Sequence, residues 1–326
     1  MIVLQKKPNE DFVILNLTDP QLGTPEWEEG HLNRKILEYT VAQLVEKVKP
    51  DLITITGDLA WAGQEHAYKM FGDLMETFQT PWAFVWGNHD AQNGVEFLHE
   101  IAQRYLKLPH CLFEEGDSAL GNGNYVLAIQ ENGKPVEAFV MMDTHSQEDY
   151  TDAEGNTRKV WSKLTKAQLA WCEEQVEILK ANGYKDGTLM IHIPIYGYQQ
   201  ATDAAYKQEV SRKDLTMEAS LGADCWNAGY EDSIGVQHEG IACYPEDEGA
   251  LAMLKKGGLI KRIFAGHDHV NNWMIRYEGI DMVYSLKTGA GCYWEPWMNG
   301  GTVLKINEKG IYSVTHEFID VSHLLK

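Results

Sequence analysis

Apolar positions in the first two-thirds of the chain switch between two periods. Phe12 to Leu17 is a nearly continuous apolar run, the mark of a buried strand. Leu32, Ile36, Leu37, Leu44, Val45 and Val48 then recur at helical spacing, and Pro50 closes that helix. The pair repeats: Leu52 to Thr56 reads as a strand, and Ala67, Met70, Phe71, Leu74, Met75 and Phe78 form a second helical stripe. Trp82 to Trp86 is a third strand. Asn93 with Glu96 predicts an N-cap and its N3 partner for a helix that stops before Pro109. Tyr125 to Gln130 and Val136 to Met142 flank Asn132-Gly133, a hairpin signal. Thr165 and Gln168 predict a capping box on a helix ending near Gly183. Leu189 to Ile193 and Ile260 to Ala265 are further strands, and Asn272 to Phe318 is β-rich.

This alternation predicts an α/β (α+β) architecture, read as a single domain over residues 1–326. Periodicity fails between Tyr196 and Glu248, a stretch rich in Tyr, Gln, Gly and acidic residues that holds Trp226. A loop this long is expected to be a lid or insertion; a surface insertion with no catalytic role is the alternative.

Composition narrows the function classes. With 44% apolar and 23% charged residues among 326, the chain can bury a large core and is not disordered. Its 28 basic and 48 acidic residues give a net charge of −20. No basic stripe offsets that charge, so nucleic-acid binding is not expected. No run of 18 apolar residues suggests a membrane span. The N-terminus turns polar after four positions and lacks the apolar core of a secretory signal, which makes the cytoplasm the expected location. Five scattered cysteines without a CxxC pair make a disulfide framework improbable.

The polar residues at strand ends change the picture most. They are Asp19-Pro20-Gln21, Gly57-Asp58, Gly87-Asn88-His89-Asp90, His192 and Gly266-His267-Asp268-His269. Ligands of α/β sheets bind outside the carboxyl ends of strands. Five strand ends would therefore deliver carboxylates, an Asn and four His to one rim. Such an oxygen- and nitrogen-rich set without thiolate suits Mn, Fe or Zn, possibly mixed.

In this order the motifs resemble those of the calcineurin-like metallophosphoesterases, the superfamily that includes the purple acid phosphatases. The resemblance runs over about residues 10–290. It implies a two-sheet mixed β-sandwich flanked by helices, with two metal ions at one edge. Asp19 and His269 would bind the first ion, Asp58 would bridge both, and Asn88, His192 and His267 would complete the second. Asn88 and His89 would contact the substrate phosphate, His89 would protonate the leaving oxygen, and Asp90 would orient His89. The implied reaction is metal-assisted hydrolysis of a small-molecule or protein phosphoester. A phosphomonoesterase is the favoured reading; the alternatives are a phosphodiesterase acting on cyclic nucleotides or glycerophosphodiesters, and a non-catalytic metal-binding scaffold.

One position departs from the family pattern. Gln21 stands where the first motif usually carries His, and an amide oxygen is a weaker ligand than imidazole, so the first ion is expected to bind loosely. Some relatives share this D-P-Q version. Asp143-Thr144-His145 repeats the D-x-H spacing but falls out of order. Residues 287–291, Lys-Thr-Gly-Ala-Gly, could line a phosphate pocket or form a plain turn. Trp27, Trp61, Trp226 and Trp294 are read as packing residues, with Trp61 close to Asp58 and Trp226 in the expected lid.

Overall fold

A computed structural model describes residues 1–61, 64–206 and 235–326. The strands are β1 (Ile2–Lys6), β2 (Phe12–Leu17), β3 (Leu52–Thr56), β4 (Trp82–Val85), β5 (Tyr125–Glu131), β6 (Lys134–Met141), β7 (Gln147–Thr151), β8 (Thr157–Trp161), β9 (Gly187–Met190), β10 (Ile260–Ala265), β11 (Met274–Tyr277), β12 (Ile280–Tyr284), β13 (Gly300–Asn307) and β14 (Gly310–Phe318). The helices are α1 (Leu32–Val48), α2 (Glu65–Thr77), α3 (Val95–Tyr105), α4 (Lys166–Ala181), α5 (Tyr196–Tyr206) and α6 (Ala250–Gly257).

Seven strands form one sheet in the order β1-β5-β6-β9-β10-β12-β11, and five form a second in the order β14-β13-β2-β3-β4. Both are mixed: β2, β3 and β4 run parallel, while β13 is antiparallel to β2. The period-2 alternation of strands sorts side chains between two cores. On β5 and β6, Leu127, Ile129, Phe139 and Met141 face the five-stranded sheet and its helices α1–α3. Val126, Ala128, Ala138 and Val140 face α4–α6 on the other side. The result is the expected two-sheet sandwich flanked by helices. Among the described residues no helix is long and apolar enough to cross a membrane.

Local signals explain most boundaries. Helix α1 ends with Lys49 in the left-handed region (φ 51°) just before Pro50, which cannot continue it. Asn132 and Gly133 both take positive φ, as the tight turn joining β5 to β6 requires. At α4 the capping box forms as expected: Gln168 N donates to Thr165 Oγ1 and Thr165 N to Gln168 Oε1.

Several expectations need correction. Asn93 does not cap α3; it closes a short 3-10 turn, Asp90–Asn93, and Gly94 occupies the cap. The stretch that lacked periodicity opens with helix α5, whose Tyr198 and Ala201 pack into the second core. Trp226 and Cys225 lie outside the described residues, and the other four cysteines are free thiols. The β7–β8 hairpin, β1 and α6 carried no signal strong enough to read.

Glu137 on β6 is a buried carboxylate that ties the sheets together. It accepts from Thr188 Oγ1 on β9 and from Ile311 N on β14, both at 3.3 Å, and Arg262 Nη1 on β10 lies 3.7 Å away. Burial pushes its pKa up to about 7 despite the pull of Arg262. A carboxyl that binds its proton more tightly folded than unfolded stabilises the fold fully below its unfolded pKa. That stabilisation is lost as pH rises through about 7. Glu137→Gln should therefore lower stability less at pH 8 than at pH 5, with the difference reaching about 1–3 kcal/mol in parallel urea titrations. An identical offset at both pH values would mean that Glu137 ionises as it does in the unfolded chain.

Candidate metal centre

The site lies where the two sheets present their strand ends side by side. Strands β2 and β3 run directly into Asp19 and Asp58, and β4 leads to Asn88 and His89. From the other sheet, β9 leads to His192 and β10 to His267 and His269. Asp19, Gln21, Asp58 and His267 all adopt left-handed backbone, with φ between 50° and 76°. Non-glycine residues rarely do so, and such conformations concentrate at functional sites. The turns are held by backbone bonds between neighbouring strand ends, Asp19 N to Gly57 O and Gln21 N to Asp58 O, each 3.1 Å.

Close approach explains two of the motif glycines. A Cβ on Gly57 would lie 2.4 Å from His192 Nδ1, and one on Gly87 would lie 2.1 Å from Asp58 Oδ1. Any side chain there would displace the very groups the motif presents.

The expected ligands converge. His269 Nε2 is 3.3 Å from Asp19 Oδ1, and His192 Nε2 is 3.4 Å from Asp58 Oδ2. His192 Nε2 and Asn88 Oδ1 are 2.8 Å apart. Ligand atoms of Asp19, Asp58 and His269 all lie within 4.8 Å of one another, and all three residues are buried. The imidazoles are aimed by their other nitrogens: His192 Nδ1 donates to Thr56 O at 2.8 Å, and His269 Nδ1 to Tyr293 O at 2.7 Å. These bonds aim both Nε2 atoms into the site, where a bound cation would take the place of any proton they carry.

Electrostatics favours a cation here. Burial opposes ionisation of Asp19 and Asp58, yet the surrounding imidazoles hold both carboxyls below the usual range. For His192, burial likewise opposes charge, but Asp58 and Asp19 prevail and hold its pKa up at about 10. His267 goes the other way, to about 3, through burial and the charge of His192. It is thus a neutral imidazole able to ligate. Buried polar atoms are nearly always hydrogen-bonded. Asp19 Oδ1, Gln21 Oε1, Asn88 Nδ2 and His267 Nε2 are buried without a hydrogen-bond partner, and all belong to this site. Two ionised carboxylates, imidazole nitrogens and unpartnered buried atoms are a donor set that fits hard or borderline divalent metal ions.

Gln21 lies within this set. Its Nε2 donates to Asp58 Oδ2 at 3.0 Å, which leaves its Oε1 as the unpartnered atom. His89 lines the same cavity, but its ring is held by other partners than expected. Its ring stacks on Trp61 with centroids 4.1 Å apart, and its Nδ1 pairs with Gln92 Nε2 at 2.7 Å. Asp90 does not orient it. The Asp90 carboxylate is occupied by the backbone N–H groups of Leu59, Ala60 and Gly87 and by Tyr68 Oη. Asp90 therefore braces the strand-end loops, and Gln92 takes the role given to it.

The weaker candidates resolve as structure. Asp143 accepts from the backbone of Asn122 and His145, and His145 Nε2 meets Gln168 Oε1 at 3.1 Å, so the pair braces the start of α4. Thr288 N and Gly289 N are consumed by Thr18 O and Asn299 Oδ1, so this turn is not a phosphate cradle. Lys287 Nζ donates to the Asp19 carbonyl instead. Trp27 is buried and Trp294 packs on the main core.

Trp161, Glu239 and Tyr293 line a cavity of about 250 Å³ over Asp58, His89 and His267, and no sequence signal marked them. Tyr293 stacks on His269 with centroids 4.1 Å apart. Glu239 accepts from Tyr293 Oη at 2.8 Å and from Val270 N at 2.9 Å, clamping both neighbours of His269. Losing a partner that aims a metal ligand typically costs about 10–100-fold in metal affinity. Glu239→Ala should weaken Mn²⁺ binding by that amount in titration calorimetry; unchanged affinity would show that His269 is aimed without the clamp.

Comparison with known families agrees with the motifs gathered here. The profile of the calcineurin-like phosphoesterase family matches residues 12–271. Phosphatase DCR2 of Saccharomyces cerevisiae is 24% identical, over 95% of this chain and 54% of its own length. The probable inactive purple acid phosphatase 14 of Arabidopsis thaliana is 26% identical, over 74% of this chain and 59% of its own. The chain thus spans somewhat more than half the length of these curated relatives. Among solved structures, Haemophilus influenzae NAD nucleotidase aligns at 14% identity with a TM-score of 0.46, covering 94% of this chain and 55% of that one. Since the match takes in every motif gathered around the cavity except the downstream Tyr293 turn, the chain belongs to the calcineurin-like phosphoesterase family.

Proposed function

We propose that this chain is a phosphomonoesterase that works with two divalent metal ions, Mn, Fe or Zn. The observation that carries the reading is the cluster of buried ligand atoms at the meeting point of two sheets, of which Asp19 Oδ1, Gln21 Oε1 and His267 Nε2 are unpartnered. Asp19 and His269, with Gln21 beside them, would hold one ion; Asn88, His192 and His267 would hold the other; Asp58 would be shared. When bound, such a pair supplies Lewis-acid charge to the phosphoryl oxygens and lowers the pKa of a water to near neutrality.

The remaining work falls to the chain. His89 Nδ1 is taken up by Gln92, so Nε2 is the ring nitrogen left to act on substrate. That atom lies 4.0 Å from Asp58 Oδ2, at the wall of the cavity, where a leaving oxygen would be within reach. Trp61 limits rotation of the ring by stacking, and His89 N donates to Asp58 Oδ1 at 2.8 Å, which fixes the backbone. As the imidazolium, His89 is then a positioned proton donor: its Nε2 proton would pass to the departing alkoxide and leave the ring neutral. The cavity, of about 250 Å³, is walled by Trp161, Glu239 and Tyr293, which suits a terminal phosphoryl group with one organic arm. A relative named as a phosphatase points the same way.

Paired assays on p-nitrophenyl phosphate and bis-p-nitrophenyl phosphate, with Mn²⁺, Fe²⁺ or Zn²⁺ added, test the reading. Faster turnover of the monoester is expected; preference for the diester would make the chain a phosphodiesterase, and no turnover of either would make it a scaffold. His89→Ala should lose on the order of 10²–10⁴ in rate on alkyl phosphates. Its loss on p-nitrophenyl phosphate should be smaller, since that leaving group needs little protonation. Equal losses would mean that His89 only positions the phosphate.

A further inference from the structure

The cavity over the metal centre has a neighbour at Trp161. A second cavity of about 290 Å³ shares that indole as a wall and is lined also by Gln147, Arg158, Lys159, Cys243 and Pro245. Ala242 lines the first cavity and Cys243 the second, so the chain wall is continuous as well. Trp161 itself is fixed edge-to-face on His267, with centroids 4.4 Å apart. The two cavities thus adjoin at Trp161, the second lying against the β7–β8 hairpin.

The chemistry of the second cavity is unlike the rest of the surface. The chain carries a net charge of −20, yet none of the described residues lining this cavity is acidic, and two are cations. Arg158 has no carboxylate partner among the described residues; its guanidinium sits 5.7 Å from the centroid of the Tyr150 ring. Lys159 meets Asp149 at 3.0 Å, but both side chains are more than 60% exposed. An exposed pair of this kind is worth little and is readily exchanged for another anion. Two cationic residues lining a cavity next to a site for phosphoryl groups suit a carboxylate or a phosphate.

We propose that the second cavity is a subsite for a second anionic group, so that the preferred substrate is a small phosphate ester whose alcohol carries a carboxylate or a phosphate. This inference rests on the phosphomonoesterase reading and names its substrate class. The reacting phosphoryl group lies over the metal ligands, the carbon chain crosses Trp161, and the distal anion meets Arg158 and Lys159.

The test compares butyl phosphate with its terminal-carboxylate and terminal-phosphate analogues on the full chain loaded with Mn²⁺. A charge-assisted contact predicts that kcat/KM for at least one charged analogue exceeds that for butyl phosphate by about tenfold or more. In the double variant R158Q/K159Q that ratio should fall close to one. A ratio near one in the unaltered chain, or a high ratio that survives the double substitution, overturns the subsite. The charged analogue that is favoured distinguishes a carboxylate from a phosphate as the distal group. If none of the three esters turns over, the phosphomonoesterase reading fails on its own. Calorimetry with butylphosphonate and its terminal-carboxylate analogue then decides the subsite: tighter binding of the charged one, lost in R158Q/K159Q, supports it, and equal affinities overturn it.

Discussion

Two carboxylates, Asp19 and Asp58, are almost wholly buried side by side where the two sheets meet, and much of the surrounding structure answers their charge. Like charges taken out of water are costly unless they are paired and hydrogen-bonded. Here backbone N–H groups of His267 and His89 donate to them at 3.1 and 2.8 Å, and His192 and His269 face them. Lys287 is buried close by, with its pKa lowered to about 8 by burial although Asp19 and Asp58 favour its charge. Even so, one oxygen of Asp19 and the ring nitrogen of His267 remain without hydrogen bonds. A structure that pays for buried negative charge and still leaves donors open is organised to receive cations.

That constraint also explains which parts of the chain were legible. Asp19, Asp58, Asn88, His192, His267 and His269 stood out because each ends a strand whose apolar run is itself readable, and sheet geometry aims consecutive strand ends at one rim. The strands β2, β3 and β4 and helices α1 and α2 were readable for the same reason: each buries a long, regular stripe. Asp90 was misassigned because adjacency to His89 in sequence does not bring its carboxylate to the ring. The tight turn instead carries that carboxylate toward the amides of Leu59 and Ala60.

Residues that build the walls were illegible for a different reason. Trp161, Glu239 and Tyr293 come from a hairpin, an irregular segment and a Gly-rich turn, and each contributes a single side chain to the cavity. No period announces a residue that touches a site once. Their placement depends on long-range bonds, such as Val236 N to Asn272 Oδ1 at 2.7 Å and His238 N to Asn271 Oδ1 at 3.0 Å, which stitch the segment to the GHDH turn. The division of labour follows: regular strands fix the ligands, and the irregular connections shape what reaches them.

The most direct measurement is the number and affinity of divalent ions bound per chain, by elemental analysis and calorimetry, in the unaltered protein and in Asp58→Asn. Two ions per chain are expected, with both weakened in the variant while circular dichroism shows the fold retained, because Asp58 would be the ligand they share. A variant that still binds two ions with unchanged affinity would contradict the shared-carboxylate centre.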